Sequence, residues 1–197
     1  MKNIITVSRE FGSAGRTIGK RVAEKLGYAC YDKEMIEKIA EQTGLSREYI
    51  EHNGEYAKGK NMFSYAFVGR TLEGVSVDDY IWQKQREIIL HLAEGGKCVI
   101  IGRCADYVLK DRTDCLNVFI HADIEKRADR IVRVYGETEE KPEKRIRDKD
   151  KKRSVNYKYY TDRQWGMAPN YHLALDSGEI GIDKCADLIC GLAKELN

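Results

Sequence analysis

Ile4-Ile5-Thr6-Val7-Ser8-Arg9-Glu10-Phe11-Gly12-Ser13-Ala14-Gly15-Arg16-Thr17-Ile18-Gly19 is the stretch on which the fold turns. Its first part, Asn3–Ser8, is apolar and β-branched, which predicts a buried strand. Two glycines follow, Gly12 and Gly15. From Thr17 onward Ile18, Val22, Ala23 and Leu26 fall at helical spacing, and Gly27 stops the helix. A glycine turn between a strand and a helix N-terminus aims backbone N–H groups and the positive end of the helix at one place, where an anion is stabilised.

Laid over G-x-x-x-x-G-K-[ST], the register is Glu10 to Thr17. Gly15 is the second glycine. Arg16 stands for the lysine, and Thr17 holds the position that offers a hydroxyl to Mg²⁺. Glu10 replaces the first glycine. A carboxylate beside phosphate repels it, so Glu10 must face away or hold Arg9 or Arg16. Two other readings stay open. Gly12, Gly15 and Gly19, with Asp32 ending the next strand, suit a dinucleotide site, although the spacing is not G-x-G-x-x-G. The same residues also suit a plain strand–turn–helix.

Outward from this turn, strands alternate with helices. Short apolar runs at Ala29–Tyr31, Cys98–Ile101, Leu116–Ile120 and His172–Leu175 predict further strands. Periodic segments at Lys33–Glu41, Arg47–His52 (with Ser46 as its cap), Val77–Ala93, Ile124–Tyr135 and Ile182–Leu196 predict helices. Residues 53–75 mix glycines and aromatics and read as a loop-rich insert. The alternation argues for a parallel sheet covered on both faces. One domain of 197 residues suits this, with excursions at about 33–95 and 136–165.

Bulk properties narrow the function. A net charge of +2 gives no reason to expect nucleic acid as the main partner. The six cysteines form no C-x-x-C pair and lie near no histidine at ligand spacing, so neither zinc nor a disulfide scaffold is expected. Reduced cysteines, no signal-like segment and no run able to span a bilayer predict a cytoplasmic protein without a membrane partner. Oligomeric state is not legible.

Between Lys141 and Arg153 the chain reads KPEKRIRDKDKKR, with Tyr157, Tyr159, Tyr160 and Arg163 beyond. Such a run is a solvated helix face or a basic nucleic-acid patch in many proteins. Its place between the fourth and fifth strands of a phosphate-loop core favours a lid, an arginine-bearing hairpin that closes over phosphates and excludes water. Gly102-Arg103 puts an arginine at the carboxyl end of a central strand, where open α/β sheets bind ligands.

Several stretches, in order, resemble the cytidylate kinase-like branch of the nucleoside monophosphate kinases: ITVSREFGSAGRTIGKRVAEKLG from Ile5, Tyr31-Asp32, VIIGRCAD from Val99, NVFIHADIEKRADR from Asn117, and LALDSGEIGIDKCADLI near the end. The resemblance implies a three-layer α/β P-loop kinase fold, with a five-stranded parallel sheet in order 2-3-1-4-5. It implies transfer of a phosphoryl group from ATP, with Mg²⁺, to a small acceptor such as CMP. Gly12, Ser13, Ala14, Gly15, Arg16 and Thr17 would bind ATP, and Thr17 the metal. Asp32, Lys33, Lys38 and Arg103 would face the acceptor. Arg16, Arg147 and Arg153 would act on the transferred phosphoryl group. The departures are Arg16 for the family's lysine, Lys33 and Lys38 for its serine and arginine, and Cys104 for its aspartate. They fall mostly on the acceptor half and leave the acceptor open. A non-catalytic nucleotide-binding protein and an NAD(P)-binding oxidoreductase are the rival classes.

Overall fold

The computed structural model describes residues 1–32, 34–53, 76–138 and 140–196. The strands are β1 (Ile4–Arg9), β2 (Ala29–Tyr31), β3 (Cys98–Ile101), β4 (Cys115–His121) and β5 (Leu173–Asp176). They form one parallel sheet in the order β2-β3-β1-β4-β5. The helices are α1 (Gly15–Leu26), α2 (Glu34–Thr43), α3 (Arg47–Asn53), α4 (Val77–Glu94), α5 (Ala105–Val108), α6 (Ile124–Tyr135), α7 (Pro142–Thr161), α8 (Ser177–Ile180) and α9 (Ile182–Glu195). The loop-rich insert predicted at 53–75 lies, apart from Asn53, outside the described residues.

β1 is buried along its whole length because it is the central strand and helices cover both faces. Ile5 and Val7 point to the layer made with Ile18 and Val22 of α1 and Ala186 and Ile189 of α9. Ile4 points the other way, to Met35 of α2 and Ile89 and Ala93 of α4. The sheet order also separates the rival folds. In a dinucleotide-binding sheet the second strand lies beside the first. Here β3 takes that place and β2 lies outside it.

Three strands differ from expectation at their ends, β1 and β5 each being shifted one residue along the chain. β4 runs one residue further at each end, and β5 starts at Leu173 because the ring of His172 is engaged. Its Nδ1 accepts the Asn117 N–H at 2.9 Å, while its own N–H donates to the Asn117 carbonyl. Ser46 does cap α3, accepting the Tyr49 N–H at 3.2 Å. None of the six cysteines forms a disulfide, and burial pushes the thiols of Cys98 and Cys115 up to about 11 and about 12. Among the described residues no helix is long and apolar enough to cross a membrane.

The basic segment, expected to be helical in part over Pro142–Asp162 and to form a hairpin lid, is a single helix, α7. Pro142 sits in its first turn, where its missing N–H costs nothing. One face of α7 is buried through Ile146, Arg153, Asn156 and Tyr157. Tyr157 fastens it to the core, its hydroxyl donating to Asp106 Oδ2 at 2.6 Å, while Ser8 Oγ donates to Oδ1 at 3.2 Å. Burial holds the Asp106 carboxyl above the usual carboxylate range, and these two donors partly offset it. Tyr157→Phe therefore strands a buried carboxylate oxygen. The expected loss is about 1.5–3 kcal/mol, read as a lowered midpoint in thermal melts; an unchanged midpoint would show that water replaces the hydroxyl.

Candidate active site

At the carboxyl end of the sheet a cavity of about 520 Å³ opens beside the loop between β1 and α1. The loop has the geometry of an anion nest. Gly12 has φ +87° and Ala14 has φ +62°. Among the described residues no side chain caps the first turn of α1, so its amides point toward the cavity without a protein acceptor there. Gly15 is required by packing, because a Cβ there would collide with Arg9 Cβ and stand 2.9 Å from Arg9 Cγ. Ser13 turns its hydroxyl inward, donating to the Glu10 carbonyl at 2.9 Å. Ser177 Oγ donates to the Ser13 carbonyl at 2.6 Å and ties the loop to α8.

Charge around the cavity is lopsided. Arg9, Arg16, Lys20, Arg21, Arg103, Arg130, Arg145, Lys149 and Arg153 line it, against Glu10, Glu24 and Asp32. Low-dielectric walls with one dominant sign of charge concentrate counter-ions. The carboxylate of Glu10, the difficulty in the loop, faces away from the helix N-terminus. Its Oε2 accepts the Ala122 N–H at 3.2 Å and stands 3.5 Å from Arg127 Nε. It holds neither Arg9 nor Arg16.

Burial raises the Glu10 carboxyl, with Arg127 and the Ala122 amide pulling it back. The folded chain thus holds this proton more tightly than the unfolded one. The contribution is fully present below the ordinary value of 4.5 and is lost as pH rises through the raised value. Glu10→Gln should remove that slope, so that the variant loses less stability than the wild type between pH 4.5 and a pH above the raised value. Denaturant melts at both pH values measure it, and equal slopes in the two proteins would contradict it.

Gly12, Ala14, Gly15, Arg16, Thr17, Asp32, Arg103 and Arg153 all line the cavity. Arg16 Nε stands 2.6 Å from Asp32 Oδ2. The acid that a dinucleotide site would use for ribose is therefore engaged by the loop arginine. Thr17 Oγ1 accepts from Arg130 Nη2 at 3.0 Å. Arg103 is buried, not at a surface ion pair. Its Nη1 reaches Gln85 Oε1 at 3.5 Å, and Gln85 Nε2 donates back to the Arg103 carbonyl at 3.1 Å. Arg103 and Cys104 have φ +61° and +53°, two successive non-glycine residues in the left-handed region. Such strain clusters at ligand sites, where the fold over-determines it.

Three expected residues do not line the cavity: Ser13, whose hydroxyl turns inward, Lys38 and Arg147. Lys38 is exposed on α2, two positions past the cavity-lining Ile36 and so on the far side of the helix. Arg147 is exposed for the same reason. Arg145, Lys149 and Arg153, spaced by four, form the cavity face of α7, and Arg147 lies between them on the opposite face. Lys33 lies outside the described residues. Arg163 stands over the Tyr107 ring, 5.3 Å from its centroid. The cations missed in the sequence carried a signal, the same four-residue spacing: Arg145–Lys149–Arg153 on α7, and Arg16–Lys20 and Thr17–Arg21 on α1.

A second groove, of about 430 Å³, lies across the loop, between α6 and the turn into α8. It shares Gly12, Ala14, Arg130 and Val134 with the main cavity, and Arg133, Ser177 and Gly178 complete its wall. Among the described residues no cluster of three His, Cys, Asp or Glu could hold a metal. Mg²⁺ at a phosphate site needs only one or two protein oxygens, with phosphates and waters for the rest. The Thr17 hydroxyl fits that role once Arg130 turns to an anion.

Sheet order, nest and cation-lined cavity define a three-layer α/β P-loop kinase fold. The chain belongs to the cytidylate kinase-like family, whose model matches residues 4–179. It is 29% identical over 191 residues to a cytidylate kinase of Archaeoglobus fulgidus, covering 94% of this chain and 91% of the relative. In structure it is similar to an uncharacterized protein from Eubacterium ventriosum, with TM-score 0.74, 24% identity and 98% of both chains covered. It also shares its fold with shikimate kinase from Acinetobacter baumannii in complex with shikimate, with TM-score 0.57, 20% identity, and 100% and 96% covered. Family membership supports phosphoryl transfer to a small acceptor.

Proposed function

We propose that the protein transfers the γ-phosphoryl group of ATP to a nucleoside monophosphate, CMP being the first acceptor to test. The observation that carries this reading is the uncapped N-terminus of α1 facing a cavity rich in cations. Phosphoryl transfer asks little covalent chemistry of the protein. It asks for positioning and for positive charge around the equatorial oxygens. The amides of Gly15, Arg16 and Thr17 would bind the β- and γ-phosphates, and Arg16 would leave Asp32 to join them. Arg130 would follow. Bound Mg²⁺, held by the Thr17 hydroxyl, would neutralise charge on the phosphate oxygens. The groove along Ser177, Gly178 and Arg133 would take the nucleoside of ATP. Arg103, held by Gln85, would fix the acceptor, with Asp32 at its edge. Arg153 and Arg145 would supply charge from α7. No general base is required.

An ADP-release assay with a panel of nucleoside monophosphates tests this, with and without chelation of Mg²⁺. Calorimetry with ATP·Mg and with NAD(P)H belongs beside it. NAD(P)H binding without ATP binding would sink the reading. ATP binding with no turnover on any acceptor would leave a non-catalytic nucleotide-binding protein.

The excursion at 136–165 keeps the role of a lid in this reading, with Tyr157 as the fixed end and the first turns of α7 as the part that closes. Lys144, Arg145, Lys149, Lys151 and Lys152 repel one another, and bound phosphate reverses that balance for the two that face the cavity. Amide exchange across residues 142–153 should slow when ATP analogue and acceptor bind together. Unchanged exchange with binding verified would return this face to a solvated basic surface.

A further inference from the structure

A small cavity lies behind Arg103, apart from the groove and nest assigned to ATP. It holds about 20 Å³ and shares Arg9, Arg103 and Arg153 with the main cavity. Its other walls include Cys104, Asn156, Tyr157 and Trp165. That volume admits one small polar group. Asn156 enters it from α7 and is 3% exposed. Its Nδ2 stands 3.9 Å from Cys104 Sγ, and among the described residues its Oδ1 meets no hydrogen-bond donor. Buried amide oxygens are nearly always satisfied, and one left without a donor is destabilising. The polar walls of the cavity are the guanidiniums of Arg9, Arg103 and Arg153, which only donate, the Trp165 indole, and the hydroxyls of Ser8 and Tyr157, which already donate to Asp106. A guest that satisfies this place gives an N–H or O–H to Asn156 and accepts from an arginine beside it. A flat edge carrying an amino group next to a ring nitrogen or carbonyl does both, the amino group entering this cavity while the ring stays in the adjoining cavity of about 520 Å³.

We propose that Asn156 is a specificity-determining residue of the acceptor site, whose Oδ1 takes a hydrogen bond from the exocyclic amino group of an aminopyrimidine nucleotide that lies in the main cavity with its amino edge against Arg103 and Arg153. This rests on the phosphoryl-transfer reading and names its acceptor class. Asn156 adjoins Tyr157, the fixed end of α7, so the residue that reads the base sits at the hinge of the helix that covers the phosphates. A wrong base then leaves Asn156 unsatisfied and α7 less firmly closed.

The probes are CMP and UMP, which differ at one ring position by an amino group against a carbonyl. Calorimetry is done with a non-hydrolysable ATP analogue and Mg²⁺ present, on wild type, Asn156→Ala, Asn156→Leu and Asn156→Asp. The wild type should bind CMP about tenfold or more tighter than UMP, the size of one buried hydrogen bond. The Ala and Leu variants should lose that preference by weakening CMP alone, with binding of the ATP analogue as the check on folding. Asn156→Asp keeps an oxygen and should keep the preference. A wild type without preference, binding of neither nucleotide, or a preference that survives in the Ala or Leu variant overturns the assignment. Turnover assays separate this from the wider reading. Discrimination in binding with no ADP formed removes the kinase activity and leaves Asn156 as a reader. ADP formed on another acceptor, with CMP and UMP unbound, removes the role of Asn156 and leaves the activity.

Discussion

Gly15→Ala should abolish nucleotide binding while leaving the fold in place. The added methyl would collide with Arg9 Cβ, 2.9 Å from Arg9 Cγ and 3.4 Å from Ile120 Cβ. Arg9 Cβ is fixed to the last residue of β1, inside the sheet, and has no flexible end that could swing away. Relief comes only by moving the loop off β1. The amides of the first turn of α1 move with it, and an error of about 1 Å in such a site costs on the order of 100-fold. Calorimetry with ATP·Mg should therefore show at least that loss. The core beneath is built from separate layers, so overpacking at one loop residue should cost about 1–3 kcal/mol and leave a cooperative melt. Gly191→Ala in α9 is the control, since a methyl there meets nothing within 4 Å. Affinity within threefold of the wild type in Gly15→Ala would mean that phosphate does not bind at this turn.

The fold is legible in the sequence where residues are buried on both sides. Ile4–Val7 and Cys98–Ile101 are near-continuous apolar runs because helices cover both faces of the sheet, whereas a strand with one wet face would alternate. Strand order is different in kind. No periodicity encodes which strand lies beside which, and the order 2-3-1-4-5 comes only through the resemblance. The basic segment misleads for a physical reason. The buried face of α7 is made by Ile146, Arg153, Asn156 and Tyr157, and only two of these are residues that a hydrophobic pattern detects. Its content of charge suggests a solvated helix face, whereas one face of the helix is buried. The family's pattern points to Lys38 and the basic run to Arg147, and a helix turns each away from a neighbour two positions off. Glu10 cannot be placed from sequence, because its partners Arg127 and Ala122 come from α6 and the end of β4. Asn156 gives no signal at all. An asparagine in a charged run becomes notable only when its oxygen is found buried beside Arg103 and Arg153.

Arg16→Ala should weaken ATP·Mg binding by about 10- to 150-fold, the equivalent of a charge-assisted contact of ~1.5–3 kcal/mol. Arg16→Lys is the more informative change. The guanidinium lies 2.6 Å from Asp32 Oδ2 and is only part-buried, so it is drawn to one side of the cavity and has room to move. If it serves as a positive charge near the β- and γ-phosphates, lysine replaces it, and turnover should stay within about tenfold of the wild type. If it bridges two oxygens with its planar fork, a point charge cannot copy it, and lysine should fall to the level of alanine. Asp32→Asn adds an independent reading. Removing the carboxylate removes the rival for Arg16, so ATP affinity should rise or hold while acceptor affinity falls. Loss of ATP affinity in Asp32→Asn would show that the ion pair positions Arg16 for phosphate and does not compete for it. An Arg16→Ala protein that binds ATP·Mg as tightly as the wild type would end the assignment of Arg16 to the phosphate site, whatever the other variants do.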